Sequence, residues 1–181
     1  PLYAGQVGVF VSTRLGNQVF LGADLVLGVG CRFSDRHTGD LGIYTKGRKF
    51  IHVDIEPTQI GRIIPFDLGI VSDAKLALQA MLQVAREKTP RRDPSARVRE
   101  IPELRKRLAR RMDFDDVPIK PQRVFKEINE FFDEETIFVT TIGLNQMLSS
   151  QLQDVHKPRH YLVPGGAGPL GWDLPAAIGV K

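Results

Sequence analysis

At 181 residues, with 42% apolar and 25% charged side chains, the chain has room for one good domain and part of another, and its composition excludes a fibrous or disordered polymer. No run of about eighteen uncharged apolar residues could span a bilayer, and no charged-then-apolar leader opens the chain. The single Cys31 excludes a disulfide framework and a cysteine-rich zinc site, and fits a reducing cytoplasm. The formal charge of +4 is local. Eleven of the 25 Lys and Arg residues fall between Arg86 and Arg111 with no aromatic among them, so no stacking platform for nucleic acid exists there.

In chain order, the first segment alternates short apolar runs with helical patterns. Asp24-Leu25-Val26-Leu27-Gly28-Val29-Gly30 predicts a strand buried on both faces, being too short for a globular helix. Phe50-Ile51-His52-Val53-Asp54-Ile55 predicts a second, stopped by Glu56-Pro57, and Leu68-Gly69-Ile70-Val71 a third. Ser72 or Asp73 then caps a helix with Leu78, Met81, Leu82 and Ala85 on one side. Repeated strand, loop and helix predict the fold class: α/β, an open parallel-sheet Rossmann-like layer sandwich over residues 1–88.

Residues 89–120 read as an interdomain linker, with Pro90, Pro94, Pro102 and Pro118 around one basic helix. In that helix Ile101, Leu104, Leu108 and Met112 form the apolar stripe, which leaves the basic residues on a solvated face. Residues 121–181 begin a second α/β domain. Pro121 opens a helix with Val124, Phe125, Ile128 and Phe132 on one face, the strand Thr136–Thr140 follows, and Tyr161-Leu162-Val163 is a further strand. The glycine-dense loop Gly165–Gly171 then opens the apolar helix Leu174–Gly179, which runs almost to the last residue. That ending, and Pro1 in first place, predict a piece of a larger protein whose second domain is incomplete. Its third segment, apolar on both strand faces, is expected to fray or self-associate, while residues up to about Lys88 hold a stable core.

Ligands of open parallel sheets bind beyond the carboxyl ends of the strands. Four places qualify: Gly5-Gln6-Val7-Gly8, the loop Gly30–Arg36 with two guanidiniums for a diphosphate, Asp54 for ribose hydroxyls, and Asp73. Blander roles stay open for each: Arg32 with Asp35 as a surface ion pair, Asp54 as a turn residue, Asp73 as a helix cap. Gly28-Val29-Gly30 lacks the third glycine of the dinucleotide fingerprint. His37, His52, His156 and His160 show no metal spacing and read as structural or exposed, and Cys31 as a small packing residue. No catalytic triad, paired-carboxylate or phosphate-loop pattern is visible, so no catalytic or metal residue is assigned.

Gly30-Cys31-Arg32-Phe33-Ser34-Asp35-Arg36-His37-Thr38-Gly39, Ile51–Gly61 and Val139-Thr140-Thr141-Ile142-Gly143 resemble the thiamine-diphosphate carboligases of the acetolactate synthase group. Asp67–Lys75, Val117–Val124 and Gly168-Pro169-Leu170-Gly171-Trp172 resemble, within that group, the branch that acts on glyoxylate rather than pyruvate. The resemblance implies a carboligase parent that is a homo-oligomer of three-domain chains, with this chain as its central domain and the start of its diphosphate-binding domain. It implies FAD without a redox role, at Gly5, Gly8, Cys31, Arg32, Phe33, Ser34, Asp35, Arg36, Asp54, Ile55, Asp73 and Ala74. It implies thiamine diphosphate at Gly143, Leu144, Asn145, Gln146, Gly168 and Leu170. Where the family has Gly-Gln-His-Gln, this chain has Gly143-Leu144-Asn145-Gln146, so the central pair is replaced. The family's motif for Mg2+ and its activating glutamate have no counterpart here, so the chain alone is expected to be inactive, and whether it holds FAD by itself is left open.

Overall fold

The computed structural model describes residues 2–90 and 93–181, which form two compact units. The first comprises the stretch through Val9 with Leu15–Arg107, the second Phe10–Arg14 with Leu108–Lys181.

In the first unit, helix α1 (Arg14–Leu21) leads to β1 (Leu25–Val29), followed by two short helices, α2 (Asp35–Thr38) and α3 (Leu41–Thr45). β2 (Lys49–Asp54), a 3-10 turn at Pro57–Gln59 and β3 (Leu68–Val71) follow, then α4 (Ala74–Lys88) and α5 (Ala96–Leu108). The strands form a parallel sheet in the order β1-β2-β3. Register pairs Val29 with Val53 and Asp54 with Val71, so all three carboxyl ends finish level.

One face of this sheet carries the core. Phe33, Tyr44, Phe50 and Ile64 are buried together, with Val7, Phe20, Val26 and Cys31 packed on them. Gly28 makes room for the Phe33 ring: a Cβ there would stand 2.5 Å from Phe33 Cζ. The other face of β1 departs from the expected double burial. Leu25 is 53% and Leu27 45% exposed, because the β1–β2 crossover holds only two short helices, of four and five residues, too little surface to cover both faces.

Helix α4 also turns differently from its expected stripe. Ala77 is buried and Met81 half-buried, whereas Leu78, Leu82 and Ala85 are exposed. The small Ala77 allows the closest approach, and its i+4 neighbour follows it inward. The stripe of α5 matches the expectation, with Ile101 buried and Leu104, Leu108 and Met112 half-buried. Its basic face is not merely solvated: Arg97 Nη2 donates to Val19 O at 2.7 Å and Arg105 to Tyr3 O. The helix runs through Pro102 instead of stopping at it, losing the one backbone donor proline lacks.

The second unit holds α6 (Pro121–Phe131), β4 (Phe138–Val139), α7 (Leu144–Leu152), β5 (Tyr161–Leu162) and α8 (Asp173–Val180). Pro121 sits at the start of α6 as expected, and Phe125 is buried, but Val124 and Phe132 are each 46% exposed. β4 and β5 pair in parallel over two residues each, shorter than the expected Thr136–Thr140 and Tyr161–Val163. With one partner apiece, neither strand has a second ladder to lengthen it. Helix α8 follows the glycine loop as expected, with Leu174 and Ile178 about 70% exposed.

Candidate functional site

Level strand ends bring three of the four expected places onto one edge of the first sheet. Beyond β1, Gly30 takes a φ of +58°, and nothing lies within 4 Å of where its Cβ would be. Its N–H donates to Val53 O at 2.8 Å, which ties the loop to β2. Phe33 follows at φ 51° with its ring in the core, so only its backbone can face a ligand. Ser34 occupies the N-cap of α2 without a side-chain cap bond, and Asp35 begins that helix. The alternative of an Arg32–Asp35 ion pair is not met: Asp35 meets Arg36, at 4.0 Å. The Arg32 side chain is exposed and in no ion pair among the described residues.

Asp54 ends β2. Its Oδ1 accepts from Glu56 N at 3.0 Å, as a turn residue would, and its Oδ2 is 3.9 Å from His52 Nε2. His52, 1% exposed, donates from Nε2 to Cys31 O at 3.1 Å, so the proton sits on Nε2. Its Nδ1 is buried without a partner. Ile55, next along, is 70% exposed. Beyond β3, Asp73 Oδ1 accepts from Lys75 N at 2.9 Å and Leu76 N at 3.1 Å, and Ala74 opens α4. Asp73 is therefore a helix cap, whatever else it does.

The fourth place folds against the first. Gly8 exchanges two hydrogen bonds with the Asn17 side chain, and Val9 N donates to Arg36 O at 3.1 Å. A Cβ on Gly8, at φ +151°, would stand 3.3 Å from Arg36 O. Gly5, at φ +103°, is half-buried in the same stretch. An open backbone at Gly30, an exposed cation at Arg32, a carboxylate at Asp54 and an exposed apolar side chain at Ile55 fit the diphosphate, ribose and ring portions of a dinucleotide.

In the second unit, Gly143 (φ +109°) is the N-cap of α7, whose first residues are Leu144, Asn145 and Gln146. Leu144 and Asn145 are exposed and Gln146 half-buried. Gly168 (φ +63°) turns the glycine loop so that its Cβ position lies 3.5 Å from Ile142 Cδ1. That contact brings both expected thiamine diphosphate segments to the carboxyl end of β4. Positions where a Cβ would meet nothing within 4 Å recur at Gly143, Gly165, Gly166 and Gly171, and Leu170 is 79% exposed. Thr141 Oγ1, between β4 and Gly143, is buried without a partner. An open glycine cradle with exposed Leu170 and Leu144 fits a cofactor that joins an apolar ring to a diphosphate. No group of three His, Cys, Asp or Glu that could hold a metal occurs among the described residues.

Two clusters escaped the sequence reading. Ser149 Oγ lies 2.8 Å from Tyr161 OH and donates to Gln146 O at 3.2 Å, with buried Thr140 Oγ1 3.3 Å away, pinning α7 to both strands. Burial raises the Tyr161 hydroxyl above its ordinary pKa, and the Ser149 bond partly offsets this. His37, read as structural or exposed, lies beside Cys31 and Tyr44. Cys31 and His37 lie on no common strand or helix, and the left-handed turn at Phe33 that brings them together leaves no mark in the sequence. A groove of about 630 Å3 beside α6, lined by Phe114, Val117, Ile119, Val124 and Phe131 among others, contains none of the expected site residues.

Residues 1–81 match the family described as thiamine pyrophosphate enzyme, central domain, and residues 141–181 the C-terminal TPP binding domain. The chain is 49% identical to a glyoxylate carboligase of Escherichia coli O157:H7 over 99% of its own length and 31% of that relative's. It is 40% identical to a probable acetolactate synthase large subunit of Methanocaldococcus jannaschii, over 100% of the chain and 31% of the relative. Against the acetolactate synthase large subunit of Haemophilus influenzae the identity is 32%, over 99% and 31%. The chain thus spans about a third of the length of these relatives.

Proposed function

Since the chain belongs to the thiamine pyrophosphate enzyme family, we propose that it is part of a carboligase that joins two glyoxylates. Residues 1–88 are its central domain, 89–120 the linker and 121–181 the beginning of its diphosphate-binding domain. Two glyoxylates and one proton give tartronate semialdehyde and carbon dioxide: a carbon–carbon bond forms between the two molecules, and one carboxylate leaves. The observation that carries the substrate is the 49% identity to a glyoxylate carboligase, against 40% and 32% to the acetolactate synthases.

Thiamine diphosphate, when bound, supplies the carbanion chemistry that decarboxylation and condensation require. The residues of this chain bind and orient. Gly143 and Gly168 keep backbone close to the cofactor's path, Leu170 supports its ring, and Asn145 and Gln146 offer amides at the start of α7. In the central domain Arg32 and Arg36 balance a flavin diphosphate, Asp54 holds a ribose and Ile55 covers a ring, with FAD serving as structure. No group of His, Cys, Asp and Glu that could hold Mg2+ occurs among the described residues. The parent is read as a cytoplasmic homo-oligomer, a reading that the lone Cys31 suits.

Assay of the full-length parent with each 2-oxo acid tests the substrate. A clear preference for glyoxylate is expected, and a strong preference for pyruvate would replace this reading with acetolactate synthesis, which the 40% identity favours as the second choice. The 181-residue chain alone is expected to release no carbon dioxide from glyoxylate above a protein-free control. Lack of any cofactor effect in the parent would instead indicate a nucleotide-binding module without catalysis.

A further inference from the structure

Behind the Gly30–Ser34 loop meet three protonatable side chains whose contacts with one another the proposed function does not use. Cys31 Sγ lies 3.6 Å from His37 Nδ1, and the Tyr44 hydroxyl 3.4 Å from His37 Nε2. Phe33 stacks on the His37 ring with centroids 5.9 Å apart and planes 10° apart, while Tyr44 meets it edge-on at 5.5 Å. Both polar contacts are long, so enclosure by the aromatic rings holds the imidazole as much as the bonds do.

A neutral imidazole offers one N–H and one lone pair. Either the Cys31 thiol donates to Nδ1 and Nε2–H donates to the Tyr44 oxygen, or the Tyr44 hydroxyl donates to Nε2 and Nδ1–H donates to Sγ. Each arrangement satisfies all three groups with no charge. A thiolate–imidazolium pair would be opposed twice, since burial pushes the Cys31 thiol up and the His37 imidazole down. Burial also raises the Tyr44 hydroxyl.

No neighbour reverses this. Asp35 and Arg36 on α2 are exposed and pair with each other. Asp40 caps α3 through Ile43 N. Arg48 donates to the carbonyls of Phe20, Leu21, Ile43, Tyr44 and Lys46, which fixes the backbone that carries Tyr44. On β2, His52 lies edge-on to Phe33, and Asp54 opposes ionisation of the thiol. The Val7–Val9 stretch contributes no titratable group.

We infer that Cys31, His37 and Tyr44 form one uncharged latch, in which His37 is the positioning residue that fixes the Gly30–Ser34 backbone against α3. That the loop then presents to flavin rests on the proposed function; the latch itself belongs to this chain. Cys31 is accordingly a held thiol and not a nucleophile.

Two measurements on the intact 181-residue chain decide it. His37 followed by NMR should titrate below the ordinary imidazole value of about 6.5; a midpoint at or above that value overturns the latch. Alkylation of Cys31 by iodoacetamide near pH 8 should be at least about tenfold slower than in the urea-unfolded chain, and equal rates also overturn it. His37→Asn puts an amide near the Nδ1 position and should keep the thiol protected, whereas His37→Gln, which reaches only the Nε2 position, should not. Equal rates in the two folded variants would remove the specific role of Nδ1. Flavin titration of the same wild-type sample separates the two readings: a depressed His37 and a protected Cys31 without flavin uptake keeps the latch and sinks flavin binding by the isolated chain.

Discussion

Phe33 has a left-handed φ of 51°, costly for an aromatic residue, and its ring fills the space over Gly28. His52, Phe50 and Tyr44 box that ring at centroid distances of 4.9, 6.3 and 6.2 Å. Gly28→Ala would therefore push a methyl into a ring with nowhere to go. The expected loss is about 1–3 kcal/mol, seen as an earlier urea midpoint at unchanged slope; an unchanged midpoint would mean the ring is not packed there. Arg32, in the loop after β1, and Asp54, at the end of β2, can be used to separate binding from folding. Arg32 is in no ion pair among the described residues, so Arg32→Ala should weaken flavin binding while leaving the melting temperature alone. Asp54→Ala should weaken flavin binding and also lower the melting temperature, because Oδ1 holds Glu56 N. Equal flavin affinity in wild type and both variants would show the site to be misplaced. The sequence named these residues because strand ends are legible from apolar runs. It missed the His37 contacts, because a chain reversal at a non-glycine residue leaves no periodic trace.

At the scale of elements, the three strands of the first unit were legible almost to the residue, since each is a short, mainly apolar run closed by Gly, Asp or Ser. Helices α1, α2 and α3 were not: two of them have four and five residues, less than the window over which a helical stripe can be counted. Helix α4 is fixed at its start by Asp73, which receives two backbone N–H groups. Asp73→Ala should cost about 1 kcal/mol, and Asp73→Ser much less, by thermal melting without flavin. Equal melting of all three would show that the cap contributes nothing. Helix α7 was also missed, although Met147, Leu148 and Leu152 repeat at helical spacing, because the Gly143 motif drew the reading toward a loop.

Over the whole molecule, the apolar surface left open is large. Phe131 is 82%, Leu170 79% and Leu144 72% exposed, and Leu25 and Leu27 are open on the first sheet. Faces of this kind seek partners. Amide exchange on the dilute chain should be slowest in β2 around Phe50 and Val53, each at most 1% exposed, and fastest across 137–178, where the strands have two residues each. At higher protein concentration, protection should appear first in that second region as copies associate. Uniformly slow exchange from Gly5 to Ile178 in a clean monomer would show that the third segment is complete in itself.

The sequence by itself determined the fold class and the parallel order implied by alternating strands and helices. These follow from local runs, turn residues and motif. Only the tertiary structure decided which face of β1 stays open, which side of α4 turns inward and that Arg97 and Arg105 bind carbonyls. It also decided that Gly168 rests on Ile142 and that Cys31, His37 and Tyr44 meet. Each of these depends on which distant surfaces are available to cover a residue, and a one-dimensional pattern does not carry that information.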